Sequence, residues 1–282
     1  MPSGQRNVIE WLGEATAGDD ALGGKGASLD RLIRLGYRVP PGFCVTTAAF
    51  RAGANAGDPL DAELADALHA ALVRLEAAAT EGAGGPARLA VRSSAIGEDG
   101  KFASFAGLHE TELDVAPSEV PAAVQRCWAS LASAPAVAYR AARGLSSDDA
   151  AMAVVVQVLV PADAAAVVFT RHPVTRRDDQ LVITAAHGLG DAMVSGTMTP
   201  DTIVIDRATK AVVEFTPGEA SGGRSGEPVL GAAALSELVE LSLAVERDFG
   251  RAVDIEAAMT GDDWYLLQAR PITTGAVSGT PR

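Results

Sequence analysis

The second half of the chain carries a succession of β-branched runs, VVVQVLV, AAVVFT, LVITAA and TIVIDR, separated by turn residues. Short Val/Ile-rich runs bounded by turn formers read as strands, so the chain from about residue 151 onward is expected to be rich in sheet. The first half reads differently. Leu29, Leu32 and Ile33 have helical spacing ahead of Gly36, and DAELADALHAALVRLEAAA from Asp61 places Leu64, Leu68, Ala71, Leu72 and Leu75 on one helical face. A further helix is expected over 119–142, and RLAVRSS reads as a strand. Near the end, ALSELVELSLAVERDF is helical with Gly250 as its stop, and a hairpin closes the chain. The organisation expected is one domain over 1–275 built from two lobes, 1–150 and 151–275, with a small polar tail at 276–282. GEDGKFASFAG, within the first lobe, is rich in small residues and reads as a flap.

With 48% hydrophobic residues among 282, the chain can bury a sizeable core. The formal net charge of −13, without a basic run anywhere, opposes nucleic acid and anionic membrane as partners. A small anion remains compatible, because a few cations in one pocket outweigh charges screened beyond about 10 Å. The most apolar run, AMAVVVQVLV from Ala151, is too short to cross a bilayer and stops at Pro161. Cys44 and Cys127 are the only cysteines and lie outside any CxxC spacing, so neither a disulfide framework nor a zinc site is indicated, and a soluble, cytoplasmic protein is expected.

The sharpest chemistry lies in AVDIEAAMTGDDWYLLQARPI. Centred on Asp262, a hairpin in this stretch sets Asp254 opposite Arg270 and Glu256 opposite Gln268, all four on one face, with Val253, Ile255, Leu267 and Ala269 on the other. Two carboxylates and an amide carbonyl are the oxygen ligands magnesium prefers, its shell completed by water and phosphate, and Arg270 is placed to hold a phosphate beside it. The competing reading is a solvated face with a single ion pair. Arg92 ends a strand-like alternation before a Ser/Gly-rich loop, as a phosphate clamp or as an edge-strand arginine facing water. Lys25 sits among glycines ahead of a helix, but Gly24 displaces it from P-loop spacing and Gly26 replaces the required Ser/Thr, so a Walker motif is rejected. A glycine turn opening onto a helix still offers amides and one cation to an anion. His69, His109, His172 and His187 have no partner motif and read as structural or exposed.

GGKGASL with VPPGF, VRSSAIGED with SFAGLHET, VVVQVLV with VVFTRHP, HGLGDAMVSGTMTPD, and DIEAA with LLQARPIT occur in this order over nearly the whole chain. Together they resemble the N-terminal ATP-binding domain of the pyruvate phosphate dikinase, phosphoenolpyruvate synthase and rifampin phosphotransferase family. The resemblance implies an α+β, ATP-grasp-like fold of two lobes with the nucleotide between them. It also implies ATP and magnesium as cofactors, with Lys25 and Arg92 reaching the phosphates and Gly107 and Thr111 as flap contacts. By the same resemblance Gln157, Val158, Leu159 and Val160 form the hinge that receives adenine. Glu256 and Gln268 are the implied magnesium ligands, Asp254 supports them, and Arg270 is a phosphate clamp.

The activity so implied is transfer of the ATP β-phosphate to a histidine carrier, releasing AMP and phosphate. The carrier and the small-molecule acceptor site are expected on a separate protein or further domain, since no histidine of this chain has the family's TSHAA-like context. Leu108, His172, His187 and Asp191 stand where the family usually has Gln, Asp, Trp and Glu, which points to a changed acceptor side. Two other readings stand beside this one. One is a free-standing ATP-grasp kinase or ligase using His172 or His187 as acid or base; the other is a nucleotide-binding module without catalysis.

Overall fold

A computed structural model of the chain describes residues 7–53, 60–79, 87–96, 111–142, 150–190, 196–218 and 227–272. They form two compact units, the first ending at Leu159 and the second beginning at Val160. The described secondary structure is mixed helix and strand, and each unit is built on its own antiparallel sheet.

In the first unit the strands are β1 (Ile9–Trp11), β2 (Gly42–Val45), β3 (Leu89–Ala95), β4 (Thr111–Val115) and β5 (Met152–Val158), in spatial order β1-β2-β5-β3-β4. The helices are α1 (Asp19–Arg34), α2 (Thr47–Gly53), α3 (Ala62–Ala79), α4 (Val120–Ser130) and α5 (Ala134–Ala142). Register fixes the two faces of this sheet. Phe43 pairs with Val156 and Val91 with Val156, so these side chains share one face, and they join Leu64, Leu68 and Leu75 of α3 and Val124 and Trp128 of α4 in the main core. Cys44 pairs with Val155 and Arg92 with Val155, which puts Arg92 on the other face, the one α1 covers.

The second unit has β6 (Ala164–Phe169), β7 (Gln180–His187), β8 (Asp201–Asp206), β9 (Val212–Thr216), β10 (Val253–Thr260) and β11 (Asp263–Pro271), in order β11-β10-β6-β7-β8-β9. Helix α6 (Ala232–Phe249) ends at Gly250, whose left-handed backbone (φ 69°) is the conformation glycine adopts without a Cβ penalty. It packs on β10 and β11, and the Trp264 indole donates to the Ala234 carbonyl at 3.2 Å. Trp264 pairs with Met259, so α6 covers the face that carries Val253, Ile255 and Ala257.

The structure differs from the sequence reading in four places. VVVQVLV, assigned above to the sheet-rich second lobe, is β5 in the middle of the first sheet, so the units divide at Leu159/Val160, later than residue 150. β3 lies between β5 and β4, so Arg92 is on an interior strand. The helix expected over 119–142 is broken at Leu131–Ser133 into α4 and α5. The helix expected after the glycines begins before them, at Asp19.

Candidate functional site

Helix α1 runs through Gly23, Gly24 and Gly26 with a kink at Gly23 (φ 67°, ψ 178°). Only glycine fits there: a Cβ would lie 2.1 Å from the Ser94 carbonyl oxygen. Gly26 is also pressed close, since a Cβ on it would come within 2.6 Å of the Cys44 sulfur. The glycines thus let α1 bend and lie directly on β3 and β2. Lys25, one residue before Gly26, is 9% exposed and Arg92 is 8% exposed, an unusual depth for two cations. The Ser94 hydroxyl accepts from the Gly26 amide at 3.1 Å and donates to the Leu22 carbonyl at 2.8 Å. Ser94 and Arg92, two apart on β3, share a face, and Thr111 sits opposite Arg92 on β4. The first unit therefore brings Lys25, Arg92 and Thr111 to one side of its sheet. Gly107 lies outside the described residues.

Gln157 shares this face but its side-chain amide donates to the Pro40 carbonyl at 3.0 Å, tying β5 to the turn before β2. The amides of Val158 and Leu159 donate to Pro41 and Arg88 at 3.0 and 2.8 Å, so both are engaged within the first unit. Val160 follows, buried, as the first residue of the second unit.

In the second unit the hairpin sets Asp254 against Arg270 and Glu256 against Gln268, as the sequence suggests, but by another route. The turn has only two residues, Gly261 and Asp262, with Gly261 left-handed (φ 58°). A regular ladder from that turn would place Leu267, not Gln268, against Glu256. A β-bulge intervenes: Ala257 pairs with Leu266 and Glu256 with Gln268, so Leu267 is the extra residue and no regular member of the apolar face.

Asp254 accepts from Arg270 through Nε at 2.8 Å and Nη2 at 2.7 Å. It is 7% exposed and flanked on β6 by Phe169. Burial pushes its carboxyl above the ordinary range; Arg270 pulls it down and the neighbouring Glu256 charge adds to the rise. Gln268 is 4% exposed and Glu256 half-buried.

Three oxygen-bearing side chains on one face suit a hard divalent cation that takes its other ligands from phosphate and water. Among the described residues there is no group of three or more His, Cys, Asp or Glu side chains that could hold a metal ion.

The histidines behave separately. His69 and His187 are exposed. The Nδ1 of His172 accepts from the amides of Val174 and Thr175, both at 3.3 Å, closing the β6–β7 turn in the way an aspartate side chain does. His109 and Asp191 lie outside the described residues. Ser94 is the residue that sequence reasoning passed over: it stands inside VRSSA, but a buried serine shows nothing in sequence of the helix kink it spans.

A family model described as "Pyruvate phosphate dikinase, AMP/ATP-binding domain" matches residues 57–280. The prodigiosin synthesizing transferase PigC of Serratia marcescens is 37% identical over 95% of this chain and 33% of its own length. A probable phosphoenolpyruvate synthase of Methanocaldococcus jannaschii is 34% identical over 94% of this chain and 27% of its own length. A rifampicin phosphotransferase of Streptomyces sviceus is 36% identical over 90% of this chain and 34% of its own length. The chain thus spans about a third of the length of the curated relatives it matches. A D-alanine–D-alanine ligase structure from Helicobacter pylori covers 90% of this chain and 63% of its own at 13% identity, with a TM-score of 0.32.

Proposed function

Because the chain belongs to the pyruvate phosphate dikinase AMP/ATP-binding domain family, we propose that it binds ATP with magnesium and serves as the nucleotide-cleaving part of a dikinase-type phosphotransferase. The β-phosphoryl group passes to a histidine on a further domain or a separate protein as its bond to AMP breaks, and water takes the γ-phosphoryl group, which leaves as phosphate. The observation that carries the reading is the cross-strand register that sets Glu256 against Gln268 and Asp254 against Arg270. On that face Asp254 and Gln268 are buried, as the side chains of a solvated sheet surface have no reason to be.

Each residue then has a physical task. Glu256 and Gln268 would hold the magnesium ion, with Asp254 keeping Arg270 oriented beside them. A magnesium ion there would supply neutralisation of phosphate charge. Lys25, Arg92 and Arg270 bind the phosphates and spread the charge that develops on them, and Thr111 lies beside Arg92 for the same ligand. The Gln157–Val160 segment, with Gly107, completes the proposed nucleotide contacts. No protein nucleophile is needed in this chain.

Incubation with ATP and magnesium, together with candidate histidine-carrier proteins, tests the reading. AMP and phosphate are the expected products, whereas ADP would replace it with direct γ-phosphoryl transfer to a small molecule. ATP binding without turnover against any carrier would leave a nucleotide-binding module. Glu256→Gln and Arg92→Ala are each expected to lower turnover at least about a hundredfold with an unchanged circular dichroism spectrum, the scale of losing one transition-state contact. Unchanged activity in both would refute the residue assignment.

A further inference from the structure

We propose that Ser94 is a positioning residue for Lys25: its hydroxyl spans the kink of α1 and fixes the lysine's backbone to the strand that carries Arg92. This rests on the reading of Lys25 as a phosphate contact. Three observations converge on it. The Ser94 hydroxyl bonds on both sides of the kink, donating to the Leu22 carbonyl and accepting from the Gly26 amide, so one side chain holds both helical segments around Lys25. The Gly23 backbone approaches so closely that a Cβ would strike the Ser94 carbonyl oxygen at 2.1 Å and the hydroxyl at 2.5 Å. Ser94 is fully buried, and it shares the β3 face with Arg92.

The physics follows from these contacts. A kink with positive φ inside a helix breaks the ladder of backbone bonds, and the groups freed there need other partners. The Ser94 hydroxyl supplies a donor to one and an acceptor to the other. Because that hydroxyl stands on the same strand as Arg92, two residues away, it ties the backbone on both sides of Lys25 to the strand of Arg92 across the helix bend. A pair of cations with fixed spacing is preorganised for a polyphosphate, which saves ordering at the moment of binding.

Equilibrium binding of MgATP and of adenosine separates this role from plain stability. In Ser94→Ala, ATP affinity is expected to fall about fivefold, the scale of one lost hydrogen bond, with adenosine affinity unchanged. In a Lys25→Met background the same substitution is expected to have no further effect on ATP, because the group it positions is gone. Ser94→Cys keeps a weak donor and acceptor at the kink while weakening both bonds, and it is expected to show the same selective loss even if the alanine variant fails to fold. Equal loss for both ligands, additive effects in the double variant, or unchanged ATP affinity would overturn the proposal. If Lys25→Met leaves ATP affinity unaltered, the phosphate role of Lys25 fails and this inference falls with it. A selective effect of Lys25→Met without one from Ser94→Ala or Ser94→Cys overturns only the positioning role.

Discussion

At Gly23 the backbone takes φ 67° against the Ser94 carbonyl, so any side chain meets both a strained conformation and a collision. Gly23→Ala is therefore expected to lower stability by about 2–4 kcal/mol in urea unfolding, above the usual cost of a point substitution. Residue-scale burial also governs the thiols. Cys44 and Cys127 are wholly buried, and burial with the nearby Asp30 and Glu10 charges pushes the Cys44 thiol far above its ordinary value. Neither thiol should react with a water-soluble disulfide reagent at pH 8 while the protein is folded, and both should react on unfolding. The sequence shows that these cysteines are few and far apart; their burial comes from the first sheet and the helices packed on its two faces.

Among the elements, the β8–β9 connection makes a prediction about pH. The Asp206 carboxylate accepts from the amides of Ala208 and Thr209 at 3.1 and 2.8 Å and from the Thr209 hydroxyl at 2.8 Å. These bonds hold its pKa below the ordinary value, the Thr209 amide first among the causes. A carboxyl lowered on folding stabilises the native state above its unfolded pKa of about 3.9, and that contribution is lost as pH falls through the folded value. The melting-temperature gap between the protein and Asp206→Ala should accordingly be full at pH 7 and shrink toward pH 3. A constant gap would contradict the assignment. The hairpin carries a different lesson at this scale. Its polar pairs were legible as a two-residue alternation, but a regular ladder from the Gly261–Asp262 turn does not produce them; the bulge at Leu267 does. A bulge has no periodicity of its own, so sequence reached the pairing without reaching its cause.

For the whole molecule, the net charge of −13 predicts that the protein passes a polyanion column at about 0.1 M salt without retention, because cations confined to a small site are outweighed over a large flat surface. Retention would mean a basic surface that the sequence does not reveal. What the sequence determined alone were the elements whose signal is local, the helices at Ala62–Ala79 and Ala232–Phe249 and the strand carrying Arg92, together with the resemblance to the pyruvate phosphate dikinase AMP/ATP-binding domain family. Those depend on spacing and residue type, which the chain carries with it. The tertiary structure decided what depends on partners far along the chain. It drew β5 into the first sheet, placed Arg92 on an interior strand, and bent a helix over Ser94, 68 residues from the amide it holds at Gly26. Hydrogen bonds and close packing between such distant segments leave no periodic trace, so Lys25 reads in sequence as a lysine among glycines and becomes a buried, positioned cation only when β3 lies beneath it.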